Sequence, residues 1–453
     1  MRALVVHNGE VEGRRADVVV VEGRVFRIRP DQRPDGPHDV LDVEGRAVLP
    51  GLHDHHLHLL AMAAAAGSLD LSPPLPVEAA VRQAAAVTRP GQWVRATGFV
   101  PSSTDLDRAR LDEWAGAVPV RVQDASGALW VLNASALTAV TAAGVVLTDD
   151  ERERGWILRG DERLGGAWPE PDLPLADVGA ELAAHGVTGV TDATPFTDPG
   201  GPRRLADAVA DGTIPQRVVI TGAPGLTVED DLARGPAKVV IGDHDLPSLP
   251  DLVAAIDQAH RDDRPVAVHC VTAEALALLL AAWAEVGTHP GDRVEHGAVI
   301  PVSAVPTLAD LGVTVVTQPA FVADRGDRYL TEVDAVDQPD LWRCGTLLDG
   351  RVPVGGGTDA PYGPADPWRA MVAAVDRRTE SGAVLGPDDR IVAARALDLF
   401  LGPAAAPGGP PRRLEVGAPA DLCVLDRPVA DALEDLATVR VTATIVGGRL
   451  VGP

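Results

Sequence analysis

The chain has 453 residues, a formal net charge of −25 and a sequence pI near 4.8. That length exceeds one ordinary compact domain and predicts a large domain with a smaller one. The acidic balance argues against nucleic acid and anionic membranes, whose phosphates call for clustered Lys and Arg. With 46% hydrophobic and 23% charged residues the chain is globular, and with only 3% aromatics its core must be Ala, Val and Leu. Cys270, Cys344 and Cys423 show no CxxC spacing, so each reads as a small buried residue. The opening Met1–Gly9 run lacks the apolar centre of a signal peptide, and Leu59–Gly67 is too short to span a bilayer, so a cytoplasmic protein is expected. Of 40 basic residues, Lys238 is the single lysine. Where arginine serves everywhere else, a lone amine suggests a task for a group that can lose its proton.

In chain order, Ala16–Arg29 holds two β-rich runs joined at Glu22-Gly23, a hairpin signal. The far end answers it with Ala420–Asp426 and Val439–Val451, after a Pro/Gly-rich linker at Gly402–Pro411. Together they predict one small β-sandwich domain from both termini, residues 1–50 and 402–453. Between them, β-rich runs alternate with Ala/Leu-rich helical patterns, which marks a parallel α/β fold. The predicted strands are Ala47–His58, Gly186–Asp192, Gln216–Thr221, Ala237–Ile241, Pro265–His269, Arg293–His296, Val313–Thr317 and Val352–Asp359. Helical runs include Ala273–Val286 and Pro367–Arg378. Eight such units over 51–401 predict a (β/α)8 TIM barrel. The long gap between the first two strands predicts an insertion over about 68–172, placed over the barrel mouth. It carries its own strand at Val118–Val122 and helices near Asp105–Trp114 and Ala134–Ala143.

The strongest local signal is Leu49-Pro-Gly-Leu-His-Asp-His-His-Leu-His58. On a strand, Asp54, His56 and His58 point one way and His53 and His55 the other. Two imidazoles at i and i+2 can reach one cation. His269, His296 and Asp359 end predicted strands, where a barrel gathers its catalytic groups. Lys238 lies early in its strand and is the awkward member of the set.

These stretches, with Gly186–Asp192, Val294-Glu-His-Gly297, Gln318-Pro319, Gly357–Pro361 and Val416–Leu422 in order, resemble the amidohydrolase superfamily of metal-dependent hydrolases. The likeness is to the branch holding N-substituted formamide deformylase. It implies two divalent metal ions, with zinc the expected metal. His56, His58 and Asp359 would hold the first and His269 and His296 the second. Lys238 would carry carbon dioxide as a bridging carbamate. The implied activity is hydrolysis of a small molecule's C–N bond (amide, formamide or cyclic amide) by a metal-bridging hydroxide, with Asp359 as proton shuttle. The alternatives are a mononuclear deaminase and a non-catalytic scaffold of the same superfamily. Gln318, Asp324, Arg325 and Tyr362 follow the last two strands and could face the substrate; Trp130 and Trp156 could form a lid. The branch's usual Gly-His-Ser segment is replaced by Ser126–Asn133, which lacks the His. Oligomerisation is left open.

Overall fold

A computed structural model describes residues 3–30, 37–72, 76–101, 106–168, 173–228, 231–242 and 245–453. The chain divides into two compact units, one of Met1–Leu59 with Leu175–Pro453 and the other of Leu60–Pro174. The first ends in strands β1 (Ala3–Val11), β2 (Arg14–Val21), β3 (Arg24–Arg29), β4 (His38–Asp42) and β5 (Val48–Pro50), followed by β6 (Leu52–Leu57). The expected hairpin is present: β2 and β3 pair antiparallel about Glu22 and Gly23, both at positive φ. The first predicted strand, Ala47–His58, is two elements. Its start, β5, joins a terminal sheet, and Gly51 breaks the run because a Cβ there would lie 2.1 Å from the Thr188 side chain.

The second unit holds β7 (Leu69–Asp70), β8 (Val94–Phe99), β9 (Val120–Asp124), β10 (Leu129–Leu132) and β11 (Trp156–Leu158) in one sheet ordered β11-β10-β9-β8-β7. The expected strand at Val118–Val122 is thus shifted by two residues. Helix Arg108–Ala115 replaces the run near Asp105–Trp114, of which Asp105 lies outside the described residues, as does the insertion's expected end at Asp172. Two apolar clusters give this unit its own core. Trp130 is buried beside Trp168, and Trp156 donates its indole N–H to the Leu106 carbonyl, so both serve packing. Asn133 caps helix Ala134–Ala142 and bonds the Val118 and Val120 backbone, which explains its place without a ligand.

Back in the first unit come β12 (Val187–Asp192), β13 (Arg217–Ile220), β14 (Ala233–Arg234), β15 (Ala237–Val240), β16 (Val266–Cys270), β17 (Arg293–His296), β18 (Thr314–Thr317) and β19 (Val354–Gly356). They form two all-parallel sheets, β14-β13-β12-β6 and β15-β16-β17-β18-β19. Backbone hydrogen bonds link the sheets at both margins: Lys238 N to Gly222 O at 2.9 Å, and Asp359 N to His56 O at 2.7 Å. Strands β16 and β18 are largely buried on both faces and read as Val-rich runs, as parallel strands do. Helix starts are encoded locally. Thr272 caps helix Ala273–Val286, and Asp366 followed by Pro367 starts helix Pro367–Asp376. The latter stops at Asp376, two residues short of the expected end. Among the described residues no helix is long and apolar enough to cross a membrane. All three cysteines are buried, and none is in a disulfide.

The chain closes with β20 (Leu422–Leu425), β21 (Val441–Val446) and β22 (Arg449–Gly452). Their sheet, β22-β21-β20-β5, and the sheet β3-β2-β1-β4 share one apolar cluster, in which Val18 and Val20 meet Leu422 and Ile445. Leu422→Ala empties space in that shared core, so unfolding free energy should fall by about 2–5 kcal/mol. Denaturant titration checks this, with turnover per folded molecule expected to stay near normal.

Candidate metal centre

The candidate residues gather where parallel strands end. His56 lies near the end of β6 and His58 directly after it, His269 is the last residue but one of β16, His296 ends β17, and Asp359 follows β19. Nε2 of His58 lies 3.2 Å and Nε2 of His56 3.5 Å from Oδ1 of Asp359, while Nδ1 of His296 lies 3.9 Å from Oδ2. The His269 ring packs edge-on against His296 at 4.5 Å between centroids. The tightest ligand-capable group among the described residues is His56, His296 and Asp359, with donor atoms within 4.8 Å of one another.

Local backbone geometry produces this convergence. His296 and Asp359 adopt φ of +69° and +56°, the left-handed region that non-glycine residues rarely occupy. Each sits where a strand turns away, so the strained conformation aims its side chain across the strand ends. Gly357 lets β19 approach β6, since a Cβ there would lie 2.6 Å from the His56 Cβ. Asp54 does not join His56 and His58 as strand alternation suggests. Its carboxyl instead accepts from His56 N and Thr358 N, at 3.0 and 3.1 Å, and from the Thr358 hydroxyl. Burial pushes its pKa up to about 7. His53 and His55 stack together, 4.6 Å apart, with His53 bonded to Thr191 Oγ1.

Outer contacts orient the rings. Nδ1 of His296 meets Oε1 of Gln318 at 2.9 Å, and Nδ1 of His58 meets Oγ1 of Thr194 at 3.0 Å. Nδ1 of His56 contacts Glu295 Oε2. An amide oxygen only accepts, so the contact with Gln318 places the His296 ring proton on Nδ1. The sequence reading missed Glu295, Thr194 and Asp54. Glu295 was visible within Val294-Glu-His-Gly297, but nothing in the run tells a ligand from its support.

Lys238 is buried, and its Nζ has no hydrogen-bond partner. On β15 it pairs with Ala267, two residues before His269 on the neighbouring strand, so the amine depends on the length of its side chain to reach the strand ends. Burial lowers its pKa, opposed by the charge of Glu295. Burial also holds His56 and His296 neutral, helped by Lys238 at His56 and by His269 at His296. At Asp359 burial pushes upward, yet the close approach of His58 and the surrounding imidazoles keep the carboxyl below its ordinary range.

His56 Nε2, Asp359 Oδ1 and Lys238 Nζ are all buried without hydrogen-bond partners. Orphaned buried donors and acceptors are costly. Imidazole nitrogens and a carboxylate facing one small space are the donor set that a divalent transition metal accepts, so the residues fit such an ion. The expected substrate residues fare differently. Gln318 is committed to His296, Asp324 pairs with Arg369 at 2.7 Å, and Arg325 donates to the Tyr362 carbonyl. The Tyr362 ring lies 5.6 Å from that of His58.

A family model described as the amidohydrolase family matches residues 39–452. The N-substituted formamide deformylase of Arthrobacter pascens is 27% identical over 509 aligned residues, covering 95% of this chain and 93% of its own. An uncharacterised metal-dependent hydrolase from Pyrococcus horikoshii superposes with a TM-score of 0.76 at 20% identity, over 94% of this chain and 97% of that one. An atrazine chlorohydrolase from Arthrobacter aurescens, solved with zinc, superposes at 0.58 and 16% identity, over 99% and 95%. These two structural likenesses speak to the α/β fold alone.

Asp54→Ala would leave the Thr358 and His56 donors unmet and release β19 from β6. Each buried orphan costs about 1–3 kcal/mol. Thermal unfolding should move down by several degrees, while Asp54→Asn, which keeps the Oδ1 acceptor, should stay much closer to the parent protein.

Proposed function

Since the chain belongs to the amidohydrolase family, we propose that it is a metal-dependent hydrolase that cleaves a carbon–nitrogen bond of a small molecule. The observation that carries this reading is the convergence of His56, His296 and Asp359, with buried, partnerless atoms on His56 and Asp359, beside His58 and His269. A formamide deformylase among the relatives supports an amide, formamide or cyclic amide as the substrate class. Eight of the nine parallel strands, all but the two-residue β14, form a (β/α)8 barrel in this reading, supported by hydrogen bonds at both sheet margins. The terminal sheets form a β-sandwich over 1–50 and 402–453, supported by their common core, with 51–401 as the barrel and its insertion.

His56, His58 and Asp359 would hold one divalent cation, His269 and His296 a second, and Lys238 would bridge them. When bound, such cations lower the pKa of water towards neutrality and polarise a carbonyl oxygen. Asp359 offers a basic oxygen within reach of both β6 imidazoles, so it can take a proton and deliver it to the leaving nitrogen. An amine leaves poorly without that proton. Lys238 contributes by carboxylation: its neutral amine attacks carbon dioxide and releases a proton, giving an anionic carbamate. Burial without a hydrogen bond favours the neutral amine. Gln318 orients His296, while Tyr362, Arg325 and Asp324 would face the substrate in this reading. The enzyme acts on a small molecule in the cytoplasm.

One observation favours a second reading, a single-metal centre of the deaminase kind. The tight donor group contains His56, His296 and Asp359 but not His269. Elemental analysis separates the two. The binuclear reading expects close to two zinc-class ions per chain, falling together with activity in Lys238→Arg, whose guanidinium cannot become a carbamate. One tightly held ion, unchanged in that variant, favours the single-metal reading. No ion after metal supplementation overturns both.

Asp359→Asn keeps a weak oxygen ligand but loses the basic carboxylate. Its turnover on a cleaved amide should fall by about 10²–10⁴ with the fold intact, as circular dichroism and steady-state kinetics would show. Near-normal turnover removes Asp359 from proton transfer.

A further inference from the structure

Glu295, Arg293 and His56 form a buried charged row beneath the proposed metal centre. Arg293 and Glu295 are two residues apart on β17, so their side chains share a face. One Glu295 oxygen contacts Nδ1 of His56 and the other Nε of Arg293. Relative exposures are 0%, 2% and 0% for Glu295, Arg293 and His56. Burying an ion pair this deeply seldom gains stability over an apolar replacement. The row therefore calls for a reason other than packing.

Comparison with the neighbouring rings supplies one. His58 is held by a hydroxyl and His296 by a neutral amide oxygen. Among these three, His56 alone meets a carboxylate at Nδ1. An ionised carboxylate accepts and never donates, so Nδ1 of His56 must carry the ring proton. That leaves the lone pair on Nε2, the atom that is buried and partnerless and lies 3.5 Å from Asp359 Oδ1. A carboxylate behind an imidazole also raises its electron-donating power. Arg293 Nε lies against the carboxylate's second oxygen, and its charge opposes rotation of the carboxylate away from His56.

We infer that Glu295 is a positioning residue that makes His56 the strongest imidazole donor of the centre, with Arg293 as the lock on Glu295. The inference rests on the metal-centre reading. It predicts that the affinity of the site for a divalent ion depends on a residue that never touches the ion.

The test uses cobalt as the probe, with affinity measured by competition against a chromogenic chelator on the full-length, metal-free protein. Two variants are compared with the parent: Glu295→Gln, and the double variant Glu295→Gln with Arg293→Met, which removes both buried charges and so avoids an unpaired guanidinium. Cobalt affinity should fall about 10- to 100-fold in each. The visible absorption of bound cobalt should shift, and the melting temperature of the metal-free double variant should stay near that of the parent. If the parent binds cobalt and the double variant binds it equally well with the same spectrum, Glu295 merely neutralises Arg293 and the inference fails. A parent protein that binds no cobalt overturns the metal-centre reading itself, and this inference with it.

Discussion

The site depends on how closely the first and last parallel strands approach. His56 and Asp359 belong to segments 303 positions apart in the chain, yet they share a backbone hydrogen bond of 2.7 Å. Three features enforce that approach. Gly357 removes the Cβ that would collide with His56, Asp54 collects donors from both segments, and Asp359 accepts a left-handed backbone. Any loosening of this seam would separate Nε2 of both β6 imidazoles from the Asp359 carboxylate. The strain at Asp359 and His296 persists because flanking contacts over-determine it.

Around the seam, polarity is arranged in shells. Nδ1 of the His56, His58 and His296 rings is satisfied by Glu295, Thr194 and Gln318, while Nε2 of His56 is left without a hydrogen bond. This asymmetry is what distinguishes a ligand imidazole from an ordinary buried histidine. His53 shows the contrast: it stacks on His55 and bonds Thr191 without facing the Asp359 carboxylate.

Much of this was legible in the residues because it follows from short periodicities. Strand alternation separated His56 and His58 from His53 and His55, and Val-rich runs located the parallel strands to within a few residues. The ends of Ala273–Val286 and Arg293–His296 were found to the residue, since a Thr cap, a Gly stop and a sharp turn mark them. What escaped were relations with no local signature. Asp54 lies in register with His56, yet it is drawn to Thr358, more than 300 positions away. The break at Gly51 arises from Thr188, and the support given by Glu295 arises from His56. Nothing in the sequence names the partners of Arg325 and Asp324, the Tyr362 carbonyl and Arg369.

The common core of the two chain ends has a temporal consequence. Val18 and Val20 cannot be covered until Leu422 and Ile445 arrive, some 400 residues later. At roughly 5–20 residues per second of synthesis, the first strands wait on the order of tens of seconds on the ribosome with a Val-rich face unsheltered. Closing so long a loop adds little entropic cost beyond a shorter one, because that cost grows only logarithmically with length. The hazard is therefore one of timing and not of final stability: exposed β-rich surface in the nascent chain is where stray strand pairing begins. Arg14, Arg15, Arg24, Arg27 and Arg29, set along β2 and β3, place like charges on those same strands. Their mutual repulsion discourages one unfinished chain from pairing with another until the last strands are made.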